Sequence, residues 1–487
     1  METFYGMLKS AIDKISNLHY FKAFKQGSHY FLANIFVQFL GVISIRIFTR
    51  ILTVEDFGIY EVFSNAIKLL AILLPLNSVV ALNIYMYKED IRKKEFAGNV
   101  AMLSFLFFIL GSASILLFQQ QIAGFLAIPA PLIVFIPIMV GIQVLYNLFH
   151  ILNVIYEKSK LNALGLLLNN LLRIIFSIGF ILFFKQFEGF YARILGEIIG
   201  TGILAISIIW FIKNHFEFSF NLDYSKLILY QGVSMILYTS SVFILNYFDT
   251  LMINQSLGSE KAGLYSFAYK IGTIYYGLIQ SFQLGFLSRY NQHLHKQEYE
   301  SITEQLKSIL KLVTFITLGF ILLSPEMGRL LSAKNDFNDA LILSPIVVLG
   351  YYLLFLFDLY NVALFQSKKN LVITIIIFSV GLLNIVLNKL LIPVYGYKIA
   401  ALNTLCSFFI MFLLGKITTH YLGLFSLKIK YYAGFLLLCI IATLLSCFME
   451  KHYLGFFRAV SIKISLLLII GLFIYRNIVS LLKNVKH

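Results

Sequence analysis

Long apolar runs separated by short polar breaks fill almost the whole chain. The stretch GLLLNNLLRIIFSIGFILFF from Gly165 is representative. It lacks the short, alternating segments that a membrane β-barrel would show. Runs of this kind are long enough to cross a bilayer as helices, which takes about 20 residues each. Fourteen can be drawn, near 28–51, 58–86, 97–118, 130–152, 163–184, 190–212, 229–254, 262–289, 309–331, 340–364, 371–391, 398–420, 431–449 and 457–480. The longest break between them is NQHLHKQEYESITEQLKS, from Asn291 to Ser308. The expected fold is an all-α polytopic membrane protein.

Composition agrees. Of 487 residues, 59% are hydrophobic and only 13% charged, far too apolar for a soluble chain of this length. The net charge of +16 would suggest nucleic acid in a soluble protein. Here the basic residues fall in loops, as the positive-inside rule predicts, and a nucleic-acid partner is set aside. With the N-terminus placed in the cytoplasm, one side receives Lys88, Arg92, Lys93, Lys94, Lys158, Lys160, Lys213, Lys226, Lys368, Lys369, Lys428 and Lys430. The other side receives mainly Lys185, Lys261, Lys334 and Lys451. Both termini are therefore expected in the cytoplasm. Residues 1–27 carry Lys9, Lys14, Lys22 and Lys25, with Leu8, Ile12 and Ile15 on one helical face. They read as an amphipathic helix on the membrane surface, not as a removable signal. Cys406, Cys439 and Cys447 lie inside apolar runs and form no disulfide or metal spacing.

The chain repeats itself. LTVEDFGIY at Leu52–Tyr60 returns as LGSEKAGLY at Leu257–Tyr265, a shift of 205 residues, and Gln26-Gly27 returns as Gln231-Gly232 at the same shift. NVIYEKSKLN from Asn153 returns as NVALFQSKKN from Asn361 at a shift of 208, and Gly189 returns as Gly396 at 207. Each copy falls on the same loop of a six-span unit. Six is even, so the two units cross the bilayer in the same sense, a parallel repeat of the kind many transporters use. The division predicted is residues 28–212 and 228–420 as two six-helix lobes, with two extra spans over 431–480. In the repeated loop, Glu55 and Glu260 complement the dipole of the following helix. Gly58 and Gly263 allow close packing.

Two parallel six-helix lobes, two added helices and EDFGIY after the first helix resemble the Wzx-type polysaccharide flippases of the multidrug/oligosaccharidyl-lipid/polysaccharide exporter superfamily. The resemblance covers nearly the whole chain. It implies a transporter that moves an undecaprenyl-diphosphate-linked oligosaccharide across the bacterial inner membrane by alternating access, for O-antigen or capsule assembly. It implies no enzyme and no cofactor beyond a coupling ion. Membrane lipid and other glycan-assembly membrane proteins are the further partners implied. Two rival readings stand beside it: a cation-coupled multidrug exporter of the same superfamily, and a membrane-embedded glycan-assembly enzyme or scaffold. The chain has no Walker A sequence, no His-rich metal motif and no large external loop.

Ionisable residues inside spans are costly and mark function when they face the protein interior. Glu61, Asn65 and Lys68 share one face of the second span, and Ser266, Lys270 and Thr273 share the equivalent face of the eighth. The repeat sets Lys270 opposite Asn65, so the two lysines lie one turn apart on matching faces. They are expected in one central cavity, where a diphosphate would find cations. Lysines that snorkel or pair with Glu61 are the structural alternative. Arg46 is a further cavity candidate, Arg50 an interfacial anchor, and Arg173 with Glu197 an intramembrane pair. Asp358 of the tenth span maps onto His150 of the fourth, giving two candidate coupling groups. The resemblance also extends to lipid II flippases, which implies a sodium site from Asp249, Asn384, Asn388 and Thr404, with the Ala400 carbonyl as a possible fifth ligand. The second residue of that pair is usually Asp in those flippases and is Asn388 here. A proton on Asp249 and an interhelical hydrogen-bond cluster are the other readings of the same four residues.

Overall fold

A computed structural model describes residues 19–452 and 455–484, and every regular element among them is helical. Fourteen long helices stand where the apolar runs lie: α1 His19–Ile51, α2 Val54–Leu73, α3 Lys93–Leu117, α4 Phe135–Ile155, α5 Ser159–Phe183, α6 Gly189–Ile212, α7 Leu222–Leu257, α8 Ser259–His295, α9 Tyr299–Leu331, α10 Ser344–Gln366, α11 Asn370–Tyr395, α12 Lys398–Tyr421, α13 Ala433–Lys451 and α14 Phe456–Asn484. Among the described residues, eleven segments are long and apolar enough to cross a membrane by composition. Helices α2, α8 and α14 are not among them; α2 carries Glu61 and Lys68 and α8 carries Lys270. Of the expected surface helix over 1–27, residues 1–18 lie outside the described residues, and from His19 the chain is already part of α1.

Two expected boundaries move. The second span breaks after Leu73, where Pro75 is followed by Leu76 and Asn77 at φ of 50° and 52°, and a short helix resumes at Val80–Tyr85. The long polar break at 291–308 is mostly helix: α8 runs to His295 and α9 begins at Tyr299. Nothing in that segment forbids helix. It lacks Gly and Pro, and Lys307 pairs with Glu304 at 2.6 Å one turn away. Polarity marks the end of the apolar run, not the end of the helix.

The packing repeats with the sequence. Helix α1 packs on α5, α5 on α6, α4 on α6 and α2 on α4; in the same way α7 packs on α11, α11 on α12, α10 on α12 and α8 on α10. Across the two sets, the dominant contact is α2 on α8, supported by α2 on α7. The repeated loop explains that crossing. A Cβ at Gly58 would collide with the Ser259 carbonyl, and one at Gly263 with the Val54 carbonyl. Only glycine lets the two backbones approach this closely.

At the same end, two latches mirror each other. Thr49 Oγ1 donates to the Leu331 carbonyl at 2.9 Å, and Asn254 Nδ2 donates to the Leu126 carbonyl at 2.8 Å. A shift of 205 carries Thr49 onto Asn254 and Leu126 onto Leu331. Arg46 and Gln255 add bonds to the neighbouring carbonyls of Leu330 and Phe125.

Helices α13 and α14 attach to α9. The junction is ionic: Lys463 of α14 binds both oxygens of Glu326 at 2.7 and 2.8 Å, and Arg329 binds Glu450 of α13 at 2.5 Å. Lys463 is 1% exposed. An ammonium so far from water persists only when paired, and the bidentate contact supplies the pair.

Candidate substrate cavity and cation site

A cavity of about 300 Å³ opens between α1, α2, α5, α6 and α8. From α1 it takes Gly41, Ser44, Ile45 and Phe48, spaced by three, four and seven residues and so on one face. Arg46 lies off that stripe. It is exposed, and its guanidinium donates to Leu330 instead, so it belongs to the latch and not to the cavity. That corrects its expected place.

Lys68 and Lys270 both line the cavity. Lys270 Nζ sits 2.9 Å from Glu61 Oε2, a contact that joins α8 to α2. Glu61 is 3% exposed, and its second oxygen has no hydrogen-bond partner among the described residues. Lys68 donates to Asn65 Oδ1 at 3.1 Å, and its ammonium lies 4.5 Å from the centre of the Tyr247 ring. Asn65 is buried behind Lys68 and holds it without lining the space. Glu61 pairs with Lys270 across the helix sets, so Lys68 is left with a neutral amide and an aromatic face.

Two arginines complete the wall. Arg173 is 3.6 Å from Glu197, as the sequence suggested. Arg193 is not among the candidates that the sequence offers. Its guanidinium is sandwiched 3.9 Å from the Phe48 ring centre and 3.3 Å from that of Tyr60, and its Nη1 has no hydrogen-bond partner among the described residues. An arginine one turn into a helix reads as an interfacial anchor, which hid it. The available signal was Glu197 four residues on. Four cations against two carboxylates leave the cavity net positive.

The second cluster is compact. Asp249 Oδ1 accepts from Asn388 Nδ2 at 2.7 Å, and Oδ2 accepts from Thr404 Oγ1 and the Tyr265 hydroxyl, each at 2.5 Å. Asn384 donates to Thr404 at 3.2 Å and accepts from Asn388 at 3.1 Å. Asn403 donates to Asn388 at 2.8 Å, and Asn384 reaches Ser407 at 3.3 Å. Asp249, Asn384, Asn388 and Thr404 are all at most 2% exposed. All four expected residues meet, bringing together carboxylate, amide and hydroxyl oxygens, the ligands a hard cation takes. Tyr265, Asn403 and Ser407 are additions. The last residue of each repeat copy bonds a buried carboxylate, since Tyr60 donates to Glu197 at 2.6 Å and Tyr265 donates to Asp249.

The remaining pair does not share one environment. His150 is exposed and bonds Asn162 of α5 at 2.9 Å. Asp358 is half-buried and accepts from Gln283 of α8 at 3.3 Å.

A net-positive cavity and a separate buried carboxylate, set in two repeated helix sets, define a membrane transporter fold. The family model described as "Polysaccharide biosynthesis protein" matches residues 23–284, more than half of the chain, and the chain belongs to that family within the multidrug/oligosaccharidyl-lipid/polysaccharide exporter superfamily. A second model, described as "MatE", matches residues 232–390. Among solved structures, the chain is similar to "Lipid II flippase MurJ, inward closed conformation", with 17% identity, a TM-score of 0.70, and 92% of this chain and 99% of that one covered. It is also similar to an outward-facing multidrug resistance transporter of the MATE family, with 14% identity, a TM-score of 0.51, and 83% and 96% covered. A Pyrococcus furiosus transporter of the same superfamily, described as having a binding pocket of reverse polarity, shares 16% identity at a TM-score of 0.52, with 83% and 96% covered. These likenesses establish the fold. No curated protein matches the chain.

Proposed function

We propose that the chain is a flippase for an undecaprenyl-diphosphate-linked oligosaccharide, carrying it between leaflets of the bacterial inner membrane for O-antigen or capsule assembly. The single observation that carries this reading is the cavity with Lys68, Lys270, Arg173 and Arg193 against Glu61 and Glu197. A diphosphate brings negative charge that such a wall can neutralise, and ordinary anion recognition needs no chemical step. In this reading the cavity serves transport. A cationic drug would meet a net-positive wall, which disfavours the drug-exporter alternative.

In this reading the termini lie in the cytoplasm and the latched end is periplasmic. The two helix sets rock about the α2–α8 crossing so that the cavity opens to each side in turn. Asp249, Asn384, Asn388 and Thr404 take a sodium ion or a proton as the coupling species. Lys68→Ala and Lys270→Ala should each abolish surface glycan while the protein remains in the membrane. Normal export by both variants would sink the role. Asp249→Asn should remove the dependence of export on the sodium or proton gradient. Unchanged dependence would leave the cluster as interhelical glue.

A further inference from the structure

A second space, largely apolar but carrying a few polar side chains, lies away from the cationic cavity. It is a groove of about 250 Å³ between α8 and α10, lined by Gln280, Gln283, Phe286, Asp358 and Asn361 among others. Gln283 and Asp358 are hydrogen-bonded to each other at 3.3 Å. Asn361 Oδ1 is buried and has no hydrogen-bond partner among the described residues. Gln280 is exposed. A carboxylate inside an apolar span marks a candidate functional site, and a buried amide oxygen without a donor calls for one.

Resting on the flippase reading, we propose that this groove is a subsite for a neutral sugar of the transported glycan. Sugar hydroxyls are donors and acceptors on a ring with apolar faces. Asp358 and the Asn361 oxygen accept from hydroxyls, Gln280 and Gln283 both donate and accept, and the Phe286 ring covers a C–H face. The groove lies on the helix that carries the cationic cavity. Lys270, Thr273, Gly277 and Gln280 recur at spacings of three, four and three on α8, so they form one face. From Lys270 to Gln280 is 10 residues, about 15 Å of helix at about 1.5 Å each. That is the reach of a short oligosaccharide whose diphosphate is held at Lys270. The groove then reads sugar identity, and the cationic cavity reads only the charge common to all such substrates.

The test uses the full-length protein in lipid nanodiscs and isothermal titration with two probes. One is inorganic diphosphate; the other is the cell's own glycan repeat, released from its lipid by mild acid and so free of diphosphate. Asp358→Ala, Asn361→Ala and Gln280→Ala should each weaken oligosaccharide binding at least tenfold and leave diphosphate binding unchanged. Lys270→Ala should do the reverse. Gln280 is exposed, so its variant keeps the test open if the buried ones do not fold. Oligosaccharide binding that is absent in the unmodified protein, or unchanged in all folded groove variants, overturns the subsite. Diphosphate binding that survives loss of both lysines overturns the flippase cavity instead, and leaves the sugar measurement to judge the groove by itself.

Discussion

At the scale of single residues, the repeated tyrosine is the clearest link between sequence and site. Tyr60 and Tyr265 close the two copies of the loop motif, and each donates to a buried carboxylate, Glu197 in one helix set and Asp249 in the other. A hydrogen bond of this kind inside a membrane protein contributes about 1 kcal/mol. Tyr265→Phe should therefore lower thermal stability by about 1 kcal/mol in the normal background and by little when Asp249 is already Ala. A double-mutant cycle read by thermal unfolding measures this coupling, and a coupling near zero would contradict the pairing. Lys68, Lys270 and Asp249 were legible because a charge inside an apolar run is conspicuous. Arg193 was not, because its position one turn into α6 fits an ordinary anchor, and its stacking between Phe48 and Tyr60 joins three helices that only the fold assembles. Arg46 misled for the converse reason. Its depth suggested the cavity, and only the stripe formed by Ser44, Ile45 and Phe48 shows that it faces elsewhere.

At the scale of helices, apolar run length located all fourteen long helices but not their ends. Hydropathy falls where a helix leaves the apolar layer, while helix ends are set by backbone punctuation such as Pro75 or Gly258. The same limit hid the ionic junction of α9, α13 and α14, since Glu326, Arg329, Glu450 and Lys463 are near neighbours in space but far apart in sequence. The α2–α8 crossing was more readable, because two glycines at equal positions in a repeat mark a close approach. It yields a direct prediction. A valine at Gly58 or Gly263 would place side-chain atoms inside the opposing backbone, so the helices must separate at their crossing. Forced overpacking of this kind costs about 1–3 kcal/mol. Gly58→Val should leave protein in the membrane, reduce its melting temperature and eliminate surface glycan. Full export by both valine variants would show that the crossing is not needed for the closed state.

At the scale of the whole molecule, the two helix sets meet at one end through contacts that the repeat duplicates. Thr49 reaches the Leu331 carbonyl and Asn254 reaches the Leu126 carbonyl, with the Gly58–Gly263 crossing between them. Each latch is two adjacent side chains on backbone carbonyls, Arg46 and Thr49 in one and Asn254 and Gln255 in the other, a few bonds in all. In the proposed rocking cycle, two weak latches suit an end that has to open as well as close, since a bistable arrangement is reversed by modest differential binding. A rocking transporter must break both latches in each cycle. Joining the two sides covalently should then arrest it in the closed form. The pair to use is Thr49→Cys with Ser332→Cys, in a chain whose Cys406, Cys439 and Cys447 are replaced by Ala. A short thiol-reactive bridge should stop glycan export, and a reducible bridge should restore it on reduction. Either cysteine substitution without the bridge should leave export near normal, because the mirrored Asn254 latch remains. Export that continues with the bridge fully formed would mean that this end does not open during transport, and the two helix sets would need some other motion to pass their cargo.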